Sequence, residues 1–185
     1  MTDPGGNILL VGYRGTGKST LGKRLADVLA MNFVDMDRIL IQDAGCSISR
    51  IVEEHGWPHF RELEKKLLLR LAQAKGQVIA TGGGVVLDAE NRTLLLQMGI
   101  VIWLKANPDA IMKRLQQDKE GSAQRPPFSD RNLWEETTAA LKERMPLYKG
   151  VSEVELDTSN LDIAECVDEI VRIVHTKKRI ASAED

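Results

Sequence analysis

The chain has 185 residues, of which 43% are hydrophobic and 28% are charged, a composition that is ordinary for a folded domain. Its 25 basic and 27 acidic residues give a net charge of −2, so the sequence lacks the basic excess that is typical of general nucleic-acid binding. No apolar run reaches the roughly 18 residues that a membrane-spanning helix needs, and we expect neither a nucleic-acid nor a membrane partner.

Short apolar runs alternate along the chain with segments of helical periodicity. Several runs are apolar throughout, which is typical of strands covered on both faces. We predict strands at 7–11, 33–35, 77–80, 100–104 and 153–156. We predict helices at about 18–30, 37–44, 47–54, 58–74, 88–97, 108–118, 131–145 and 161–175. This order predicts an α/β fold: a single domain, 1–185, with a five-stranded parallel sheet between two layers of helices and a frayed tail at 176–185.

The first predicted strand runs into a glycine-rich turn. Residues 12–19 read GYRGTGKS, which matches the phosphate-loop pattern GxxxxGK[ST] between a strand and a helix. Glycines let backbone N–H groups approach phosphate oxygens, and the positive end of the helix points at the same anion. We predict that Lys18 reaches the β- and γ-phosphates and that the Ser19 hydroxyl ligates Mg²⁺. The predicted ATP-binding residues of this segment are Gly12, Arg14, Gly15, Thr16, Gly17, Lys18, Ser19 and Thr20.

Other classes of phosphate-loop protein need signals that are missing. GTPases read guanine with an Asn-Lys-x-Asp motif, which does not occur in the sequence. Motor-type ATPases need an acidic residue closing the third strand, whereas QVIA here runs into Thr81 and three glycines, 82–84. A small-molecule kinase is therefore the leading class. No packing requirement explains three consecutive glycines, but backbone lying close to a ligand does.

The second predicted strand ends in two carboxylates, within FVDMDR at 33–38. On an extended chain, residues two apart project from the same face. We predict that Asp35 holds Mg²⁺ through water. For Asp37 two readings are open: it orients or deprotonates a substrate hydroxyl, or it caps the following helix.

Three arginines are further candidates, each with an alternative. Arg61 lies three residues before Glu64 in HFRELEKKLL, where a surface ion pair worth less than ~0.5 kcal/mol is the alternative. Arg125 lies in a polar segment, 116–131, that we predict to be a lid; a lid arginine stabilises a transferring phosphoryl group, or is simply solvated. Arg144 lies before Pro146 near a predicted helix end, where contact with the helix dipole is the alternative.

Taken together, these segments resemble the shikimate kinase family, of the nucleoside-monophosphate-kinase-like P-loop fold. The resemblance spans about residues 7–175, and it rests on the ordered set DMD, FRELE, TGGG, RPP and RMPLY. It implies transfer of the ATP γ-phosphoryl group to the 3-hydroxyl of shikimate with Mg²⁺ as cofactor. It also implies a substrate-binding helical arm at about 37–64 and a mobile lid.

The resemblance also assigns roles to residues. Arginines at the positions of Arg61 and Arg144 grip the shikimate carboxylate, and Arg114 packs against adenine. Asp35 and Ser19 match the magnesium positions. The implied catalytic residues are Lys18, Asp37 and Arg125, and the implied substrate-binding residues are Asp37, Arg61, Gly82, Gly83, Gly84 and Arg144.

The sequence departs from the family pattern in several places, among them a slightly long lid and Trp57-Pro58 in place of smaller or polar residues. Pro126-Pro127-Phe128 follows Arg125 where proline-leucine-leucine is usual, and the DTSNLD segment at 157–162 lacks the usual basic residue. Two other functions stay open: a P-loop kinase for gluconate or a nucleoside monophosphate, and a catalytically silent NTP-binding module. We expect a monomer, and the two isolated cysteines favour a reduced, cytoplasmic location.

Overall fold

The computed structural model describes residues 6–118 and 132–181. Its five strands are β1 (Asn7–Val11), β2 (Asn32–Asp35), β3 (Gln77–Ala80), β4 (Gly99–Lys105) and β5 (Val154–Asp157). They form one sheet in the order β2-β3-β1-β4-β5, and every neighbouring pair is parallel. The predicted fold class is therefore confirmed.

Seven α-helices lie in the described residues. They are α1 (Lys18–Leu29), α2 (Met36–Ala44), α3 (Ile48–Leu71), α4 (Ala89–Met98), α5 (Pro108–Gln117), α6 (Leu133–Val151) and α7 (Ile163–Ala181). A 3₁₀ turn at Val85–Leu87 separates β3 from α4. None of the described helices combines the length and apolar character that are needed to cross a bilayer.

The core lies on both faces of the sheet. All five residues of β1 are buried: Leu9 and Val11 pack into one apolar cluster, and Ile8 and Leu10 pack into the other. Because both faces are covered, the four positions Ile8–Val11 are all apolar, which is why the sequence does not alternate; the buried Asn7 side chain is hydrogen-bonded to backbone.

Three helices end three or more residues away from the predicted boundary. The two helical segments predicted at 47–54 and 58–74 lie within α3 and are separated, as predicted, by non-helical backbone at Gly56 (φ 80°, ψ 165°), but the second ends earlier, at Leu71. Helix α6 continues through Pro146 to Val151 instead of ending near it, because Tyr148 and Val151 are buried on its inner face. Helix α7 runs past residue 175, where neither glycine nor proline stops it.

The topology brings the candidate residues to one edge. The glycine-rich turn follows β1, Asp35 ends β2, and residues 81–84 follow β3. Because these strands are parallel neighbours, their carboxyl ends meet at the same edge of the sheet, where open α/β sheets bind ligands.

Candidate active site

A cavity of about 370 Å³, called here the nucleotide cavity, lies over the turn that follows β1. Gly15 and Gly17 take positive φ values of 76° and 91°, which the tight turn requires and which side chains with a Cβ rarely adopt. Gly12 lies at the start of the turn. The other predicted ATP-binding residues in the described chain all line this cavity: Arg14, Gly15, Thr16, Gly17, Lys18, Ser19, Thr20 and Arg114.

Lys18 is hydrogen-bonded to the backbone of the turn that precedes it. Its ammonium group donates to the carbonyls of Gly12 and Tyr13, each at 2.8 Å, and the residue is only 9% exposed. The Thr16 hydroxyl also donates to the Tyr13 carbonyl, at 2.8 Å. The lysine therefore holds the conformation of the loop as well as supplying a cation to the cavity.

Arg114 is held at the far end of the same cavity. Its Nη1 donates to the Thr158 hydroxyl at 3.0 Å and to the Gly15 carbonyl at 3.3 Å, and its Nη2 donates to the Thr158 carbonyl. Because these bonds lie in the guanidinium plane, the face of the plane is what a planar base would contact. Leu161, within the 157–162 segment that lacks a basic residue, and Ile163, just after it, line the cavity with partly exposed apolar side chains.

The two aspartates of DMD take different positions from those expected. Asp35 ends β2 and caps α2, accepting a hydrogen bond from the Arg38 N–H at 3.2 Å, so the capping alternative for Asp37 is wrong. Asp37 lies in the first turn of α2, and the argument from an extended chain therefore fails. Asp37 nevertheless lines the nucleotide cavity, whereas Asp35 lines a shallow groove beside it.

The residues around Asp35 indicate how Mg²⁺ would be held. Ser19 lines both the nucleotide cavity and the shallow groove that contains Asp35. In the described part of the chain no group of three or more His, Cys, Asp or Glu residues gathers to hold a metal ion. This set fits Mg²⁺ bound to a nucleotide, since that ion takes one or two protein ligands and completes its octahedron with phosphate oxygens and water.

A second, narrow cavity of about 40 Å³, called here the acceptor cavity, lies beside the first. It collects residues from α2, α3, α6 and the glycine run. Arg144 is 5% exposed, and its Nη1 donates to the Gly83 carbonyl at 3.4 Å. All six residues predicted to bind the substrate line this acceptor cavity: Asp37, Arg61, Gly82, Gly83, Gly84 and Arg144.

The Arg61–Glu64 pair is not a surface ion pair. Arg61 Nη1 donates to Glu64 Oε2 at 2.7 Å, and the Glu64 side chain is 1% exposed. Burial raises the pKa of the Glu64 carboxyl, and the Arg61 guanidinium opposes that rise. This single hydrogen bond from Nη1 to Glu64 orients the guanidinium. The remaining donors of Arg61 are left for an anion, because arginine carries five.

Contrary to the expectation from the sequence, close packing explains part of the glycine run, 82–84. A Cβ added at Gly84 would overlap the Arg61 guanidinium, and one added at Gly82 would overlap the Glu64 carboxylate. The run therefore makes room for the ion pair as well as presenting backbone to the cavity.

Several residues at the site were not predicted from the sequence. Glu64, Trp57 and Tyr13 line the acceptor cavity, and Arg61 lies 5.2 Å from the centroid of the Trp57 ring. The Tyr148 hydroxyl donates to the Gly83 carbonyl, and burial raises the pKa of Tyr148. The i, i+3 spacing of Arg61 and Glu64 was the one available signal. Arg125 and most of the predicted lid lie outside the described residues.

The described site has two adjoining parts: a phosphate loop under a nucleotide-sized cavity, and a pocket with two guanidinium groups and a carboxylate. On a five-stranded parallel sheet, this combination defines the class of P-loop phosphotransferases that act on a small anionic acceptor.

Comparison with known proteins gives the family. The model of the shikimate kinase family matches residues 14–175. The chain belongs to this family and is an ATP-dependent kinase. Shikimate kinase of Syntrophus aciditrophicus is 40% identical over 90% of this chain and 89% of that protein. Shikimate kinase of Caldanaerobacter subterraneus is 38% identical over 90% of this chain and 94% of that protein.

Solved structures agree with this assignment. Shikimate kinase from Acinetobacter baumannii in complex with shikimate is 33% identical, with a TM-score of 0.86 over 94% of each chain. A gluconokinase from Sinorhizobium meliloti covers 100% of this chain and 99% of its own, but at 16% identity and a TM-score of 0.62. The second likeness shows the fold alone.

Proposed function

We propose that the protein transfers the γ-phosphoryl group of ATP to the 3-hydroxyl of shikimate, giving shikimate 3-phosphate and ADP. The observation that carries this proposal is the convergence of Asp37, Arg61 and Arg144 on one cavity beside the nucleotide cavity. The acceptor is a ring with one carboxylate and three hydroxyls, so it needs cations at one end and a hydrogen-bond acceptor at the other. The related protein from Acinetobacter baumannii is in complex with shikimate.

Each residue has a role that follows from its chemistry. Arg61 and Arg144 bind the acceptor carboxylate, for which planar guanidinium groups give charge-assisted hydrogen bonds. Asp37 accepts the proton of the attacking hydroxyl and orients it. Lys18 and the loop amides hold the β- and γ-phosphates, and Arg125 would contribute a further cation. Mg²⁺, held by Ser19 and by Asp35 through water, would neutralise phosphate charge.

The acceptor cavity must widen for this reaction. Its volume of about 40 Å³ holds a few water molecules but not a six-membered ring with four substituents. Trp57 and Arg61 belong to the part of α3 that follows the break at Gly56. The part of the substrate-binding arm that carries Trp57 and Arg61 can therefore hinge at Gly56 and move away from the glycine run.

A coupled assay of ADP release tests the proposal. With ATP and Mg²⁺ present, shikimate should stimulate ADP release strongly, while gluconate and nucleoside monophosphates should not. Stimulation by one of those alternative acceptors, and not by shikimate, would place the protein in another class of P-loop kinase. ATP binding without stimulation by any acceptor would favour a silent NTP-binding module.

Replacing either arginine by alanine should act mainly on the acceptor. We expect Arg61→Ala and Arg144→Ala to raise the KM for shikimate by about 10- to 100-fold, because each loses charge-assisted hydrogen bonds, and to change the KM for ATP much less. Steady-state kinetics with each substrate varied measures this. Arg70→Ala, on the exposed end of α3, is the matched control. Equal effects on both substrates would contradict the assignment.

Gly84→Ala tests the packing of Arg61. Its new methyl group must displace the Arg61 guanidinium, which is the flexible end of a side chain, so the fold should tolerate the change while shikimate binding weakens. We expect the KM for shikimate to rise about 10-fold, the equivalent of one lost charged hydrogen bond. Gly150→Ala, where a Cβ meets nothing within 4 Å, is the control. An unchanged KM in a folded Gly84→Ala variant would contradict this.

We also propose that the protein acts as a monomer in the cytoplasm. In support, the predicted site residues that line the two cavities all come from one chain, and Cys46 and Cys166 are both free thiols.

A further inference from the structure

Arg14 lies at the boundary between the two cavities. Of the described residues, only Arg14 and Asp37 line both the nucleotide cavity and the acceptor cavity. A phosphoryl group that passes from ATP to the acceptor crosses this boundary. Negative charge is spread over its oxygens during transfer, and the protein contributes mainly by placing cations beside them. The position of the Arg14 guanidinium therefore matters to the reaction and not only to nucleotide binding.

Glu136 forms an ion pair with this guanidinium. Arg14 Nη2 donates to Glu136 Oε1, and the two side chains are 11% and 3% exposed. Glu136 belongs to the start of α6, next to the exposed Glu135. A carboxylate this deeply buried is expensive to desolvate unless it is paired, so the pair holds Arg14 in one orientation before any ligand arrives. A cation fixed in advance needs no reorganisation during the reaction.

The same helix carries an acceptor-binding residue. Glu136 and Arg144 are eight residues apart on α6, or about 12 Å along its axis. Both Arg14 and Arg144 lie over the Tyr13 ring, with their Cζ atoms 5.6 and 5.7 Å from its centroid. Tyr13 is 1% exposed. Helix α6 therefore contacts the phosphate loop at two points: through Glu136 and Arg14, and through Arg144 and Tyr13.

Building on the proposed function, we propose that Glu136 is a positioning residue that sets Arg14 between the two cavities, and that the Arg14–Glu136 pair couples nucleotide binding to binding of the carboxylate-bearing acceptor. Phosphates that enter the loop contact Arg14 and shift its guanidinium. Because Glu136 is paired with that guanidinium, the shift also moves α6, which carries Arg144. By linkage, each ligand raises the affinity for the other by the same factor.

Calorimetric titration of the full-length protein measures this coupling. The dissociation constant of shikimate is determined with and without saturating MgADP. In the wild-type protein we expect MgADP to tighten shikimate binding by at least about fivefold. In Glu136→Gln we expect this factor to fall close to one, while the affinity for shikimate alone changes by less than about threefold. We also expect kcat to fall by about 10- to 100-fold, with partial recovery in Glu136→Asp, which restores the charge.

Matched variants separate positioning from stability. Glu135→Gln removes the same charge from an exposed neighbour and should keep the wild-type coupling factor. Arg14→Ala should lose the coupling as Glu136→Gln does, and the double variant should lose no more than either single one, because the two residues act through each other. Arg14→Ala also provides the test if thermal unfolding shows that Glu136→Gln is not folded.

Three outcomes would overturn the inference. A folded Glu136→Gln with a lower Tm but wild-type coupling and kcat would make the pair purely structural. A wild-type protein that phosphorylates shikimate without any coupling would remove the inference and leave the proposed function standing. A wild-type protein that neither binds nor phosphorylates shikimate would remove the proposed function, and the inference with it.

Discussion

Replacing Asp37 by asparagine should reduce kcat by about 10²- to 10⁴-fold, the usual range for loss of a general base. Asparagine keeps the shape of the side chain but cannot accept the proton of the acceptor hydroxyl. Asp37 is suited to that role because it lines both cavities, and its Oδ1 lies 3.2 Å from the position of a Cβ built on Gly82. The carboxylate therefore borders the backbone against which the acceptor ring would lie.

Separate measurements of binding and turnover check this prediction. Titration with MgADP should show that Asp37→Asn binds the nucleotide nearly as well as the wild-type protein does, because the phosphates are held by the loop amides and Lys18. Asp43→Asn, on the exposed far end of the same helix, should keep normal activity. Retention of more than about a tenth of the wild-type kcat in Asp37→Asn would remove Asp37 from proton transfer.

The fold could be predicted largely because its signals are local. The run ILLV is apolar at every position since β1 is buried on both faces, and the phosphate-loop residues are contiguous, so their spacing in sequence is their spacing in space. The six residues predicted to bind the substrate line one cavity, but only the family resemblance relates them to one another. No periodicity in the sequence relates Arg61 to Arg144.

The wrong predictions concern features that are determined by tertiary packing. The spacing of Arg61 and Glu64 shows that they can meet on a helix, but not whether that face is buried; the packing of α3 over the glycine run buries it. Pro146 predicts a helix end, yet the burial of Tyr148 outweighs the lost hydrogen bond.

One boundary changes the geometry of the whole acidic motif. Because β2 ends at Asp35 and α2 begins at Met36, Asp35 and Asp37 do not share one face of an extended strand. A shift of one residue in a predicted boundary, which is within the normal uncertainty of such boundaries, therefore separates the two carboxylates into different surroundings.

Replacing Lys18 by methionine should have two distinct effects, because the lysine has two sets of partners. Loss of the cation beside the phosphates should lower kcat/KM for ATP by about 10³-fold, the equivalent of about 4 kcal/mol of transition-state stabilisation. Loss of the ammonium group also removes a buried donor from the Gly12 carbonyl, whereas the Tyr13 carbonyl keeps the Thr16 hydroxyl. An unsatisfied buried acceptor costs about 1–3 kcal/mol, so the nucleotide-free variant should unfold at a Tm lower by roughly 2–10 °C.

The two effects are measured independently, by steady-state kinetics and by thermal unfolding without nucleotide. Lys142→Met, at an exposed position of α6, is the control for removal of a lysine charge and should change neither quantity. An inactive Lys18→Met variant with wild-type Tm would show that the Gly12 carbonyl finds another donor and that the lysine serves the phosphates alone. A Lys18→Met variant that keeps more than a tenth of the wild-type kcat/KM would contradict its role at the phosphates, since no other described lysine lines the nucleotide cavity.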